Sequence, residues 1–228
     1  MAEQRETPAT APDVANLTVA VLGGTGDQGR GLARRLAAAG NPVVIGSRSA
    51  ERAAAAAAGL GDAGIRGMAN QDAARAGDVV IVAVPWEGHR ELLAALAGSL
   101  AGKIVIDCVN PMGFDKRGAY PLPVAEGSAA QQAAAVLADS RVVGAFHHVS
   151  SVLLLDPEVS EVALDVMVLG DDREATDLVQ ALAERIPGVR GVYAGRLRNC
   201  GQVEALTANM VSINRRYKAH AGLRITDI

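Results

Sequence analysis

The chain has 228 residues, of which 50% are hydrophobic and 3% aromatic, and its formal net charge is −3. Such a composition favours a core of Ala, Val and Leu, as in parallel sheets covered by helices. The slight negative charge excludes a general affinity for nucleic acid, and no apolar run approaches the roughly 18 residues that span a bilayer. Cys108 and Cys200 lie far apart and form no C-x-x-C motif, which favours a reducing, cytoplasmic location. Residues 1–16 are polar and rich in Ala and Pro, and they are predicted to form a disordered leader.

The first predicted elements are a strand at 18–22 and a helix at 30–39. Between them lies the spacing Gly24-x-Gly26-x-x-Gly29, which is typical of dinucleotide-binding turns in this strand-to-helix context. Gly24 would form the tight turn, and Gly26 would let the backbone approach a pyrophosphate. Gly29 would let the helix pack closely on the strand, with the helix N-terminus directed at the phosphates.

A second strand is predicted at 43–45, and Ser47 and Arg48 follow it. Arg52 lies one helical turn further on. NAD-selective sites place an acid in this region, whose charge would repel a 2′-phosphate. Two guanidinium groups and a hydroxyl instead suit that phosphate, so the predicted ligand is NADP(H). The alternative is that both arginines are solvated helix charges, with Glu51 available for local pairing.

Strands and helices alternate along the rest of the chain. Further strands are predicted at 65–68, 78–84, 103–106, 142–146, 166–169 and near Val192, and further helices at 53–58, 87–96, 129–137, 172–184 and 199–217. The segment 112–127 is predicted as a long loop. This alternation indicates an α/β fold with a doubly wound parallel sheet of the Rossmann type. Residues 17–151 would form the NADP-binding domain, and residues 152–228 a small appended C-terminal α/β domain.

The carboxyl ends of the predicted strands should line one crevice, because ligands of such sheets bind there. These ends are 23–28, 46–48, 84–86, 109–111 and 145–151. Within them, Trp86 would either cover the cofactor or serve as a packing anchor. Asn110 follows the fifth strand and is a further candidate for cofactor binding.

His147 would either face the nicotinamide or be an ordinary hydrogen-bonded residue. Its neighbour His148 should point to the opposite face of the strand, so no metal site is predicted. The crevice shows no Ser/His/Asp arrangement, no paired carboxylates and no Lys-centred site. The catalytic residues are therefore left unassigned, with His147 as a candidate for orientation only. Hydride transfer between two bound cofactors needs few side chains, because the cofactors carry the chemistry.

Several motifs in combination resemble one enzyme family. They are Leu22-Gly-Gly-Thr-Gly-Asp-Gln-Gly29, Gly46-Ser-Arg48, Val84-Pro-Trp-Glu87, Phe146-His147, Gly170-Asp-Asp172 and Leu197-Arg-Asn-Cys-Gly-Gln-Val-Glu-Ala-Leu-Thr207. From Leu17 nearly to its end, the chain resembles the NADPH-dependent reductases of the deazaflavin coenzyme F420. The resemblance implies a cytoplasmic homodimer that moves a hydride reversibly between C4 of the nicotinamide and C5 of the deazaflavin. It implies no metal, and it gives the C-terminal domain the deazaflavin site and the dimer contacts.

The resemblance also implies which residues form each part of the binding site. The phosphate-binding turn falls on Thr25, Gly26, Asp27 and Gln28, and the 2′-phosphate site on Ser47, Arg48 and Arg52. The cofactor wall falls on Val84, Pro85, Val109 and Ala145. The deazaflavin side falls on His147, Val149 and Ser151.

The C-terminal part of the chain is basic. From Arg190 onward there are seven Lys or Arg residues and two acids, so this segment carries a net charge of 7 − 2 = +5. The resemblance suggests that Arg215, Arg216 and Lys218 attract the phosphate and glutamate tail of the deazaflavin. They could equally be the solvated basic end of a helix.

The sequence is also compatible with two other functions. One is an NADPH-dependent reductase of flavin or ferric iron, similar to the soluble domain of membrane metalloreductases. The other is a non-catalytic NADP(H)-binding sensor that passes redox state to a partner. Spectral titration separates the three, since they predict bleaching of the deazaflavin, bleaching of an ordinary flavin, or binding without turnover.

Overall fold

The computed structural model describes residues 12–61 and 64–228. Most of the predicted leader, 1–16, thus lies outside the described residues. Within 12–16, however, Val14 is buried in the core. Its carbonyl accepts a hydrogen bond of 2.7 Å from Nδ2 of Asn41. The leader prediction is therefore wrong for these residues, because the polar composition concealed one apolar anchor and its backbone contacts.

Ten strands form two sheets in the described part of the chain. They are β1 (Val19–Leu22), β2 (Val43–Ser47), β3 (Ile65–Ala69), β4 (Val79–Val82), β5 (Ile104–Asp107), β6 (Met112–Asp115), β7 (Gly118–Pro121), β8 (Arg141–Gly144), β9 (Leu164–Gly170) and β10 (Val189–Gly195). The main sheet has the order β10-β9-β8-β5-β4-β1-β2-β3. From β3 to β8 all neighbours are parallel, so the predicted doubly wound sheet is confirmed.

Helices cover both faces of this sheet. They are α1 (Asp27–Ala38), α2 (Ala50–Ala58), α3 (Asn70–Ala76), α4 (His89–Leu100), α5 (Ala129–Val136), α6 (Ser151–Leu155), α7 (Arg173–Ala183) and α8 (Cys200–Tyr217). Helices α1, α2, α6 and α7 pack on one face, and α3, α4, α5 and α8 on the other. None of the helices in the described residues combines the length and apolar character needed to cross a bilayer.

The core explains why the central strands are continuously apolar. Successive side chains of a strand point to opposite faces. In β1, Val19 and Val21 join the cluster beneath α1, whereas Ala20 and Leu22 join the cluster beneath α3 and α4. Since both faces are covered by helices, every position of the strand is buried and must be apolar.

The C-terminal segment extends the main sheet. β9 joins β8 through a short antiparallel ladder, Val143↔Gly170 and Gly144↔Leu169, and β10 runs parallel to β9. Asp172 caps α7 by accepting a hydrogen bond of 2.7 Å from Ala175 N, at the start of the helix predicted from 172. The predicted domain boundary between 151 and 152 falls inside α6, and the division into two domains stays a prediction.

Three local differences from the sequence prediction have physical causes. The segment predicted as a loop at 112–127 contains the hairpin of β6 and β7, whose tight turn is closed by Asp115 Oδ1 accepting from the backbone of Arg117 and Gly118. The strand predicted to reach Phe146 ends at Gly144, because Phe146 has a left-handed backbone with φ of 63°. The short helices α3 and α6 were not predicted, since neither is long enough to show a helical period.

Arg35 of α1 holds α6 in place. Its guanidinium donates to four backbone carbonyl groups at or after the end of α6, those of Leu153, Leu154, Asp156 and Val159. Helix ends leave such acceptors without intrahelical partners, so this side chain completes α6. The two helices also touch directly, because a Cβ at Gly31 would lie 2.6 Å from Cβ of Leu154.

We expect Arg35→Met to destabilise the protein, because it leaves these carbonyl groups without their charged donor. The free energy of unfolding, measured by urea denaturation, should fall by about 3 kcal/mol. Arg75→Met is the matched control, since Arg75 is exposed and has an ion pair of 3.8 Å with Asp72. It should cost less than about 1 kcal/mol. Equal losses in the two variants would refute the role given to Arg35.

Candidate active site

The first cavity lies where the sheet order reverses, at the carboxyl ends of β1 and β4. It has a volume of about 570 Å³. Its lining consists of Gly23, Thr25, Gly26, Asp27, Gln28, Ser47, Arg48, Arg52, Asn70, Ala83, Val84, Pro85, Glu87, Gly88 and Leu92. A crevice at the switch point of an open parallel sheet is where nucleotides bind. We call this space the nucleotide cavity.

The turn between β1 and α1 forms the floor of the nucleotide cavity. Gly23 has φ of 74°, and a Cβ there would lie 2.5 Å from the carbonyl oxygen of Ala83. The tight turn thus depends on Gly23 as well as on Gly24, where a Cβ would lie 2.8 Å from the carbonyl oxygen of Val21. A Cβ at Gly29 would lie 2.7 Å from Cα of Gly24, so Gly29 permits close packing of the helix on the turn that follows β1. Gly24 and Gly29 support the turn and are not part of the cavity lining.

The N-terminus of α1 points its free backbone groups at the nucleotide cavity. Gly26 is the N-cap residue, and no side chain caps the helix. Since the first N–H groups of a helix lack intrahelical acceptors, those of Asp27 and Gln28 are available to an anion. This uncapped end fits the phosphates of a dinucleotide.

The far end of the nucleotide cavity carries two exposed arginines. Arg48 and Arg52 line it beside the buried Ser47. Glu51, the acid available for local pairing, instead accepts a hydrogen bond of 2.6 Å from Oγ of Ser49. Within the described residues both guanidinium groups are free of ion pairs. This end therefore offers two positive charges and a hydroxyl.

Five residues of the nucleotide cavity were missed from the sequence, namely Asn70, Ala83, Glu87, Gly88 and Leu92. Asn70 begins α3, and its Oδ1 is buried without a hydrogen-bond partner. A buried acceptor without a partner is costly unless a ligand supplies the donor. The end of β3 at Ala69 would have indicated Asn70, but the predicted strand stopped at 68.

A second cavity, of about 290 Å³, opens from the first. The two share Gln28, Ala83 and Val84. The rest of its lining is Cys108, Val109, Asn110, His147, His148, Val149, Ser150, Ser151, Thr207, Met210, Val211 and Asn214. We call it the substrate cavity. Because its walls meet the nucleotide cavity at three residues, two bound molecules could approach each other there.

Three side chains from separate elements hold the backbone beside the substrate cavity. Gln28 Nε2 donates to the carbonyl oxygen of Phe146 at 3.3 Å. Asn110 Nδ2 and Thr207 Oγ1 donate to that of His147, at 2.8 Å and 3.1 Å. The left-handed backbone of Phe146 is thus fixed from α1, from the loop after β5 and from α8. Backbone held in such a sparsely populated conformation is typical of functional sites.

The histidines of the substrate cavity are neutral at pH 7. Burial lowers the pKa of His147 to about 4 and that of His148 to about 4. Nδ1 of His148 and Oδ1 of Asn110 are buried without hydrogen-bond partners, and the ring nitrogens of His147 have only weak contacts with the backbone of Cys108 and Val109. A neutral imidazole offers one donor and one acceptor, so these atoms can bind the polar edge of a ligand.

Helix α8 supplies one wall of the substrate cavity through Thr207, Met210, Val211 and Asn214. It is tied to α5 by Glu204, whose carboxylate accepts from the N–H groups of Ala129 and Ala130 at 2.8 Å and 3.1 Å. Burial raises the pKa of Glu204 to about 7, although both N–H donors oppose this change. Of these four lining residues, only Thr207 lies in a motif that was marked in the sequence. The later lining residues were missed because their approach to the cavity depends on tertiary packing.

Besides Gly24 and Gly29, two predicted cofactor-binding residues lie outside both cavity linings. Trp86 packs against His89, with ring centroids 5.6 Å apart, so the structure favours the packing anchor over the cofactor cover. Ala145 is completely buried behind the cavity walls. Both follow strand ends, but their side chains point into the core.

Comparison with known proteins agrees with this site. Residues 18–111 match the family described as NADP oxidoreductase coenzyme F420-dependent. The F420-dependent NADP reductase of Methanothermobacter thermautotrophicus is 40% identical over 224 residues, which cover 93% of this chain and 96% of that protein. The chain belongs to the family of F420-dependent NADP reductases.

One solved structure and one longer protein are also similar to this chain. The crystal structure of a proposed F420-dependent NADP reductase from Arthrobacter sp. FB24 matches with a TM-score of 0.79 at 25% identity, covering 93% of this chain and 100% of that one. Metalloreductase STEAP3 of Rattus norvegicus is 31% identical over 206 residues, which cover 90% of this chain and 38% of that protein. The fold of this family is thus also part of a larger reductase.

Arg48 should determine the preference of this reductase for its nucleotide. We expect Arg48→Ala to lower kcat/KM with NADPH by the equivalent of about 1.5–3 kcal/mol, the value of a charged hydrogen bond. The value with NADH should change little. Arg66→Ala is the control, because Arg66 is exposed on β3 outside the cavity lining. An unchanged NADPH to NADH ratio in Arg48→Ala would remove this assignment.

Proposed function

We propose that this protein transfers a hydride reversibly between NADP(H) and the deazaflavin coenzyme F420. The observation that carries the proposal is the junction of the two cavities at Gln28, Ala83 and Val84. Membership of the F420-dependent NADP reductases supports the identity of the two molecules. When both are bound, the hydride moves with its electron pair between C4 of the nicotinamide and C5 of the deazaflavin.

The proposed binding roles follow the two cavities. Thr25, Gly26, Asp27 and Gln28 would hold the dinucleotide phosphates, and Ser47, Arg48 and Arg52 the 2′-phosphate. Val84, Pro85 and Val109 would form the wall at the nicotinamide, and Asn110, His147, Val149 and Ser151 the deazaflavin side. The uncapped N-terminus of α1 and the unpartnered Oδ1 of Asn110 support these roles.

The residues of the substrate cavity would orient and exclude water. Among the described residues no carboxylate lines this cavity. His147 is neutral, and burial raises the pKa of the Cys108 thiol, so the thiol stays protonated. Hydride transfer requires no proton movement by a side chain, and correct placement alone can be worth an effective molarity of about 10⁵ M or more. A neutral lining is therefore compatible with this reaction.

A spectral assay tests the proposed function directly. The oxidised deazaflavin coenzyme is mixed with the protein and NADPH, and its visible absorbance is followed. Bleaching of the deazaflavin supports the proposal. Bleaching of an ordinary flavin instead would indicate a reductase of flavin or ferric iron. Nucleotide binding without turnover would indicate a non-catalytic sensor. The 31% identity with the rat metalloreductase favours the flavin or ferric reductase as the second candidate.

We further propose a homodimer in the cytoplasm. Four large apolar side chains are exposed on β6, β7 and the end of α8, namely Phe114, Tyr120, Ile213 and Tyr217. Helix α8 packs against β7, and an apolar surface of this kind is typical of a contact between subunits. The two free, buried thiols suit a reducing compartment.

The basic end of α8 supports a role in attracting the deazaflavin. The lining residues Met210, Val211 and Asn214 define the side of the helix that faces the substrate cavity. Arg215 follows Val211 by four residues and so lies near that side, whereas Arg216 points about 100° further away. Both arginines are exposed.

We expect Arg215→Glu to raise KM for the deazaflavin several-fold at low salt, while KM for NADPH stays the same. Attraction between exposed charges weakens as salt shortens the Debye length, which is about 8 Å at physiological ionic strength. In the parent protein, KM for the deazaflavin should therefore rise with added salt. Arg216→Glu is the matched control with the same change of charge. If the two variants raise KM for the deazaflavin equally, only the net charge matters, and the specific role of Arg215 is refuted.

A further inference from the structure

A row of buried polar side chains lies behind the walls of both cavities. His89 and Asp107 are completely buried, and Nε2 of His89 lies 2.7 Å from Oδ2 of Asp107. On the other side of the ring, Nδ1 lies 3.0 Å from Oε1 of Gln132 on α5. None of these three residues lines either cavity, so binding of the two substrates does not explain them.

The hydrogen bonds of Gln132 favour a positively charged His89. Nε2 of Gln132 donates to Glu126 at 3.2 Å, so Oε1 is the atom directed at His89. Both ring nitrogens of His89 therefore face acceptors, and an imidazole satisfies two acceptors only when doubly protonated. Arg90 pairs with Glu126 and closes the row at the surface.

The charges around His89 favour the same protonation state. Burial alone would lower the pKa of His89, but the hydrogen bond and the charge of Asp107 outweigh it. Gln132 and the nearby Glu204 of α8 also act to raise it, and the pKa of His89 lies above its ordinary value. Asp107 and His89 thus form a buried ion pair.

This ion pair connects one wall of each cavity. The other oxygen of Asp107, Oδ1, accepts a hydrogen bond of 3.0 Å from the backbone N–H of Val109, which lines the substrate cavity. His89 is the first residue of α4, and Glu87 and Gly88 just before it line the nucleotide cavity. The pair therefore fixes the loop after β5 relative to the start of α4.

We propose that His89 and Asp107 are positioning residues for hydride transfer, which hold the walls of the nucleotide and substrate cavities at a fixed separation. This inference rests on the proposed function. Transfer between two bound molecules depends steeply on their relative placement, so a small shift of one wall should lower the rate without weakening either binding step. Neither residue would touch a substrate.

Tryptophan fluorescence tests the ion pair without any substrate. Trp86 is the one tryptophan of the chain, and its ring lies against that of His89. Because a protonated imidazole quenches a neighbouring indole, fluorescence of the parent protein should rise with pH as His89 loses its proton. The midpoint should lie above about 6.5, the ordinary pKa of histidine. His89→Gln should abolish the transition, and His220→Gln, at an exposed position, should preserve it.

Asp107→Asn keeps the shape of the side chain and removes its charge, so the midpoint should move to lower pH. If this variant does not fold, Gln132→Leu gives the same test, because it removes the acceptor at Nδ1. A parent midpoint at or below the ordinary pKa would overturn the ion pair. An unchanged midpoint in the variant that folds would also overturn the ion pair.

Steady-state kinetics tests the positioning role. His89→Gln should lower kcat about tenfold, while KM for NADPH and KM for the deazaflavin each change less than about twofold. An unchanged kcat, or a large rise in one KM, would refute positioning even where the fluorescence result holds. If the parent protein does not reduce the deazaflavin at all, the proposed function fails, and the fluorescence titration still decides whether the ion pair exists.

Discussion

Both cavities depend on the placement of helix α1, whose start lies in close backbone contact with the turn after β1. At its start, Gly29 lets the helix lie directly against the turn after β1, and this directs its free N–H groups into the nucleotide cavity. Further along, Gly31 and Arg35 hold α6, which follows the loop of the substrate cavity. Gln28 lines both cavities and hydrogen-bonds the backbone of Phe146. One helix thus sets the relative position of the two proposed substrates.

Charge is divided unequally between the cavities, and this division suits the proposed reaction. The nucleotide cavity combines Arg48 and Arg52 with the positive end of α1, which matches the phosphates of NADP(H). The substrate cavity has neutral histidines, because burial disfavours their charged forms. The nearby Asp107 instead forms a hydrogen bond of 2.7 Å with His89. The walls of the substrate cavity therefore have little to do with proton transfer, and their effect on rate comes from placement.

The sequence predicted those features that depend on residues close together in the chain. The doubly wound sheet, the turn at Gly23–Gly29 and the lining roles of Ser47 and Arg48 all follow from local pattern and spacing. It did not indicate Met210 or Val211, since their approach to the cavity requires α8 to pack across α5. The pairing of His89 with Asp107 joins two elements whose individual patterns are those of an ordinary helix and strand. The packing of Trp86 likewise depends on tertiary contacts.

The central claim is that NADPH and the deazaflavin react directly at the junction of the two cavities. The most direct measurement uses NADPH labelled with deuterium on one face of nicotinamide C4, followed by mass analysis of the reduced deazaflavin. The label is placed on either face in separate preparations. Direct transfer predicts that the label of one preparation alone appears at C5 of the deazaflavin, without loss to water. The same result is expected in a slower His147→Ala variant. Release of the label into water, or its transfer from both faces, would contradict the claim.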